Sequence, residues 1–213
     1  VGLLSLVKHP LLRVGMPRGI VRTAAETIDL VAFRGGAGRP SLDGFSAYFD
    51  ARLAALRQSE FSPFWLRRIG EAQVERARQL LSALEAALAP LRTLAGREVS
   101  VPEAAAASVQ ALEALGCDEA GDLGSLYAGE AGEALAQALR ELCAAGGDFT
   151  FAAREWPAIL DALLAGAMVK PRPGADQRVA IWGTLEARLQ SVDTLVIGGL
   201  NEGSWPRRAT ADR

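Results

Sequence analysis

Residues 70–94 carry the longest helical repeat in the chain. Val74, Ala77, Leu81, Leu84, Leu88 and Leu91 recur every three or four positions, while Glu71, Glu75, Arg78, Gln79, Ser82 and Glu85 fill the other faces. A helix this long with one apolar stripe must bury that stripe against another element, which predicts helix-on-helix packing. Pro90 interrupts the repeat. Its ring clashes with the preceding turn and it donates no amide hydrogen, so the helix must end or kink near Ala89.

The rest of the first 170 residues follows the same period. A short apolar helix over 1–7 is stopped by Lys8, His9 and Pro10. Residues 17–33 form a second, with Pro17 in the first turn and Ile20, Val21, Ala24, Ile28 and Val31 on one side. After the loop RGGAGRP, Ser41 is placed to cap a helix through about Leu56, with Leu42, Phe45, Phe49, Leu53 and Leu56 on one face. Ser100 or Val101 caps another that ends at Gly116, residues 118–124 are a loop, and further helices cover 126–144 and 155–168. In the last of these Ile159, Leu160, Leu163 and Leu164 are expected inward.

The pattern changes at PRPG, 171–174, a linker. RVAIW (178–182) and TLVIG (194–198) are short, continuously apolar runs, which suit strands covered on both faces of a parallel sheet. The fold is therefore expected to be mainly α. A helical region spans 1–170, and 171–213 is the start of an α/β element with two strands.

Charge is uneven. Residues 1–100 hold 14 basic and 9 acidic side chains, a net of +5; residues 101–171 hold 3 and 11, a net of −8; residues 172–213 hold 6 and 5, a net of +1. A nucleic-acid surface belongs on the first or last section. The plainer alternative is an ordinary solvated helical surface. Cys117 and Cys143 have no C-x-x-C spacing and His9 is the sole histidine, which excludes a Cys/His zinc site and Ser–His or Cys–His catalysis within these residues. Both cysteines are expected to be small buried hydrophobes in a reducing compartment. No run reaches the roughly 20 apolar residues of a membrane span, and the start lacks the basic leader of a secretion signal. A soluble, cytoplasmic protein is the expectation. The first residue is Val, which suggests a piece of a longer chain.

The segment LVIGGLNEGSWPRR, 195–208, is the densest motif. A buried strand that ends in glycine at its carboxyl end is where α/β folds place ligands. Gly198, Gly199 and Gly203 permit sharp turns, Asn201 and Glu202 can cap or accept hydrogen bonds, and Trp205 with Pro206 would pack the loop down.

This string resembles the segment after motif V in the second RecA-like domain of UvrD/RecB-type superfamily 1 helicases. The longer stretch IWGTLEARLQSVDTLVIGGLNEGSWP resembles the AddB family in its alphaproteobacterial form, most strongly over 178–206. The start, LLSLVKHPLLRVGMPR, resembles the AddB stretch where the helical 2B-like insertion begins. The resemblance implies a helical 2B-like subdomain over 1–170, followed over 171–213 by the start of an α/β RecA-like (2A-like) domain. It implies a non-catalytic section of a helicase–nuclease subunit that processes DNA double-strand breaks for recombinational repair. The implied partners are DNA, as a single strand or duplex end, and an AddA-like helicase–nuclease subunit.

The departures are specific. Active helicases of that group carry Thr-x-His-x-x-Lys-Gly-Leu-Glu where this chain has Trp182, Gly183, Thr184, Leu185, Glu186, Ala187 and Arg188; the Leu-Glu remains and the Lys-Gly is missing. The only lysines are Lys8 and Lys170, and no G-x-x-x-x-G-K-[ST] phosphate loop is present. These residues are expected to bind no cofactor, although the family's complex uses ATP and magnesium. The family's nuclease pattern is also missing from these residues.

Five arginines are candidates for phosphate contact: Arg67, Arg68, Arg188, Arg207 and Arg208. For Arg188, with Glu186 holding the loop, the alternative is a helical turn with both at the surface. Arg207 and Arg208 could equally be solvated. FWLRR, 64–68, mixes aromatic and basic residues as single-strand binders do, but Phe61, Phe64 and Trp65 are expected to form a hydrophobic corner. The reading of another class is a helical protein-interaction scaffold without DNA contact, its acidic section facing a basic partner.

Overall fold

The computed structural model describes residues 2–34, 44–167, 169, 180–183 and 185–199. The chain divides into two units, Val1–Pro171 and Arg172–Arg213.

The first unit is helical, as the repeat demands. Its elements are α1 (Gly2–Val7), α2 (Arg18–Ile28), α3 (Phe45–Gln58), α4 (Glu71–Ala87), α5 (Ala89–Arg92), β1 (Glu98–Ser100), α6 (Val101–Gly116), α7 (Gly129–Cys143), β2 (Thr150–Ala152) and α8 (Trp156–Leu164). The break at Leu88 between α4 and α5 falls where Pro90 requires it. Pro17 caps α2 from outside its first turn. Ser41 lies outside the described residues, and Gly44, in a left-handed conformation at φ 68°, precedes α3.

Two hydrophobic cores fill this unit. In the first, Val21, Ala24, Ala25 and Ile28 of α2 face Val74, Ala77, Leu81 and Leu84 of α4, and Phe45, Phe49 and Leu53 of α3 close the third side. The alanines let the α2 and α4 backbones approach closely, and this is the most extensively packed helix pair. α2 continues into one wide π-helical turn, Asp29–Phe33, that keeps Val31 and Ala32 buried. Lys8 pairs with Asp29 at 2.7 Å and holds α1 against that turn.

The second core joins Leu94, Val99, Ala104, Ala105, Phe151 and Trp156. β1 and β2 pair antiparallel, with Val99 opposite Phe151. Phe151 stacks on Trp156 with ring centroids 5.9 Å apart. The indole Nε1 donates to Ser108 Oγ at 2.8 Å, and that hydroxyl donates to the Ala104 carbonyl at 2.8 Å. The polar end of a buried tryptophan is thereby satisfied. Ser100 Oγ caps α6 by accepting from the Glu103 amide at 3.4 Å, as its position predicts.

α6 is common to both cores. Its first turns lie in the second core, whereas Ala114 and Leu115 pack against the first. Its last carbonyls are not left open. Leu115 O accepts from the amides of Arg13 and Val14 at 2.9 and 3.0 Å, and Cys117 O accepts from Gly15 at 2.9 Å. These bonds hold Val14 at φ 46°, a region unfavourable for a β-branched residue.

Several expectations need correction. Neither β1 nor β2 was expected from the sequence. Cys143 is exposed and Cys117 half-buried, so neither is a core residue. On α8, Leu163 is 50% exposed rather than inward; it shares a face with buried Trp156 but lies two turns further along, beyond the described packing of the second core.

In the second unit, the predicted strands over 178–182 and 194–198 are not formed among the described residues. Leu195, Val196 and Ile197 are 63%, 88% and 60% exposed. A strand needs a neighbouring strand to satisfy its amides and carbonyls, and these described residues have none. The regular element here is a single 3-10 turn, Glu186–Leu189. The 171–174 linker lies outside the described residues. Among the described residues, no helix is long and apolar enough to cross a membrane.

Two measurements check this packing. Leu81→Ala, in the α2–α4 contact, should cost about 2–5 kcal/mol in urea unfolding; a cost below ~1 kcal/mol would contradict the burial. Tyr127 donates to Glu113 Oε1 at 3.0 Å between α6 and α7. Burial first, and the Glu113 carboxylate second, push its phenol up to about 12. The unfolded phenol titrates near ~10, so the stabilisation is complete below that pH and is lost as pH rises through the folded value. Tyr127→Phe should therefore show a shallower fall in melting temperature than the parent protein between pH ~10 and ~12. Parallel curves would contradict the shift.

Candidate functional site

The loop between α3 and α4 is built around Pro63 and a 3-10 turn, Phe64–Arg68. Leu66 points into the first core and is buried, and Trp65 and Ile69 pack against the same core. With Leu66 fixed inward, the turn presents its other side to solvent. In a 3-10 turn, residues three apart eclipse each other, so Phe64 and Arg67 share one edge. Phe61 is 90% and Phe64 77% exposed. The expected hydrophobic corner is therefore limited to Trp65, and the two phenylalanines stand outside it.

Arg67 and Arg68 are exposed, and their guanidinium groups make no ion pair with any described residue. The nearest acidic group along α4, Glu71, is already engaged by Arg57 at 2.8 Å. Phe61, Phe64, Arg67 and Arg68 thus bring together, within eight residues, exposed ring faces and exposed arginines that pair with no described acidic group. Ring faces can stack on unpaired bases and arginines can meet phosphates. The patch sits on the half of the unit with net positive charge.

The other candidate residues are placed differently. Glu186 and Arg188 occupy the exposed 3-10 turn of the second unit. Glu186 folds back to accept a hydrogen bond from the Gly183 amide, and the Ala187 amide donates to the Gly183 carbonyl at 3.0 Å, so Glu186 fastens this turn. Arg188 makes no side-chain bond to a described residue. Gly199 adopts φ 74°, a left-handed conformation that suits glycine, while Gly198 lies in the non-strand segment before it. Thr184, Asn201, Glu202, Gly203, Trp205, Arg207 and Arg208 lie outside the described residues. Among the described residues, no group of His, Cys, Asp and Glu side chains is arranged to hold a metal ion.

Comparison with protein-family models, with curated protein sequences and with solved structures finds no match.

The sequence signal for the patch was the FWLRR string itself; what it could not supply was which ring faces out. Phe61→Ala and Phe64→Ala should each change stability by no more than ~0.5 kcal/mol, as exposed substitutions do. Leu66→Ala should cost about 2–5 kcal/mol in the same urea titration. A comparable loss at all three positions would return the phenylalanines to the core.

Proposed function

We propose that this chain is a non-catalytic, nucleic-acid-contacting section of an AddB-like subunit of a helicase–nuclease that processes DNA double-strand breaks. The observation that carries the reading is the exposed Phe61, Phe64, Arg67 and Arg68 patch on the basic half of a helical unit. The resemblance of residues 3–18 and 178–206 to that family supplies the biological setting. On this reading 1–170 is a 2B-like helical element beside the DNA channel, and 171–213 begins a RecA-like domain. ATP and magnesium act elsewhere in the complex, and an AddA-like subunit is the partner.

The chemistry asked of this section is binding alone. Single-stranded DNA offers unstacked bases to Phe61 and Phe64 and phosphates to Arg67 and Arg68. Each base stacked on an aromatic side chain contributes about 1–3 kcal/mol. Duplex DNA keeps its bases stacked and offers the patch only phosphates, so single strands should bind more tightly.

A second reading, a protein-interaction scaffold without DNA contact, is favoured by the strongly acidic section 101–171. Fluorescence anisotropy of a labelled single strand at two salt concentrations separates the two. The proposal expects binding that weakens with salt, and R67E/R68E should lower the slope of log K against log salt by roughly 1.4, two contacts at about 0.7 each. Phe61→Ala with Phe64→Ala should weaken the single strand more than the duplex. Absence of binding at low salt, or binding indifferent to all four substitutions, would favour the scaffold.

A further inference from the structure

Beside the second core lies a cavity of about 620 Å³, open on one side. That volume is within the range of roughly 300–1,000 Å³ typical of small-molecule sites. Its walls come from α5 and the turn after it, from α6 and α7, and from the 3-10 turn Ala153–Glu155 with α8. Leu112, Leu135, Leu160 and Leu164 line it and are only half-buried, so each keeps apolar surface that the described residues leave uncovered.

The polar atoms of the lining are few. Trp156 Nε1 donates to Ser108 Oγ at 2.8 Å, and that hydroxyl donates to the Ala104 carbonyl at 2.8 Å, so neither side chain needs a further partner. Arg154 is what remains, and it is the one charged residue in the lining. It is exposed, which places it at the mouth of the cavity. Its backbone position is fixed. The Ala153 amide donates to the Arg97 carbonyl at 2.9 Å, next to the β1–β2 pair, and ties this turn to the wall that carries Ala95 and Gly96. Arg97 itself is paired with Glu103 at 2.8 Å, whereas Arg154 makes no ion pair with a described residue.

An apolar cavity with one uncommitted guanidinium at its mouth specifies a class of ligand. The apolar walls favour a molecule whose bulk leaves water on entering. A guanidinium presents two parallel donors that match a carboxylate. A cationic head would meet Arg154 with repulsion, and a neutral one would leave its charge unpaired. Glu155, exposed beside Arg154, disfavours a second negative charge on the ligand.

We propose that this cavity binds a fatty-acid-like monocarboxylate, its alkyl chain against Leu112, Leu135, Leu160 and Leu164 and its carboxylate on Arg154. The site shares no residue with the Phe61–Arg68 patch, and the proposal stands whether or not that patch binds nucleic acid.

The test is isothermal titration of the full chain with decanoate, 1-decanol and decyltrimethylammonium, three probes with the same chain and different heads, each below its micelle-forming concentration. Decanoate should bind one to one and at least about tenfold more tightly than the other two. Arg154→Gln should weaken decanoate by about tenfold and leave decanol unchanged. Ala95→Trp, at an exposed position of the wall, should weaken decanoate and decanol alike by filling the opening. Both substitutions replace exposed side chains, and circular dichroism checks that the variants keep the parent helicity. No binding of decanoate would overturn the proposal. So would equal or tighter binding of the cationic or neutral probe, or folded Arg154→Gln or Ala95→Trp variants that bind decanoate like the parent.

Discussion

The closure of the α6 carboxyl end by the amides of Arg13, Val14 and Gly15 is the constraint on which the first unit depends. A helix terminus has several carbonyls without intrahelical partners, and burying them unpaired is costly. Here Leu115 and Cys117 receive three donors from the segment that leads into α2. The bonds bring α6, which begins in one core, to the edge of the other. They also hold Val14 in a backbone conformation that it would not otherwise favour. α4 packs directly on α6 as well, and so does α5, which follows the kink at Pro90. The two cores are thus coupled by backbone hydrogen bonds and a shared helix.

That joint also separates two electrostatic environments. The α1–α4 half is basic and the α6–α8 half acidic. The first section also exposes the ring faces of Phe61 and Phe64, which ordinary packing would hide.

Much of the helical architecture was legible because helices announce themselves locally. The stripes of α2, α3 and α4, the Pro90 kink and the Ser100 cap all follow from spacing and backbone chemistry. The β1–β2 pair did not, since strands of three residues placed about 50 positions apart leave no periodic signal; only the fit of Val99 against Phe151 creates them. The segments 178–182 and 194–198 differ in the opposite direction: their described residues form no strand. Continuous apolar composition predicts a buried strand, but pairing requires neighbours absent from the described residues of that unit. The site was half legible. FWLRR showed the right residue types, yet burial inferred from type put the phenylalanines inside. Leu66 decides the matter, because one turn cannot point Leu66 and Phe64 into the same core. Glu186 and Arg188 lie exposed on a 3-10 turn, as the plainer alternative had it, and the Gly183 amide donates to Glu186 within that turn.

The central claim is that a nucleic acid lies across Phe61, Phe64, Arg67 and Arg68. Ultraviolet cross-linking of the full chain to a thymine-rich single strand, followed by mass-spectrometric mapping of the attached peptide, tests it most directly. The account predicts that the cross-linked nucleotide maps to the segment 57–71, at Phe61 or Phe64. Cross-links confined to α6, α7 or α8, or no cross-link at low salt, would contradict it.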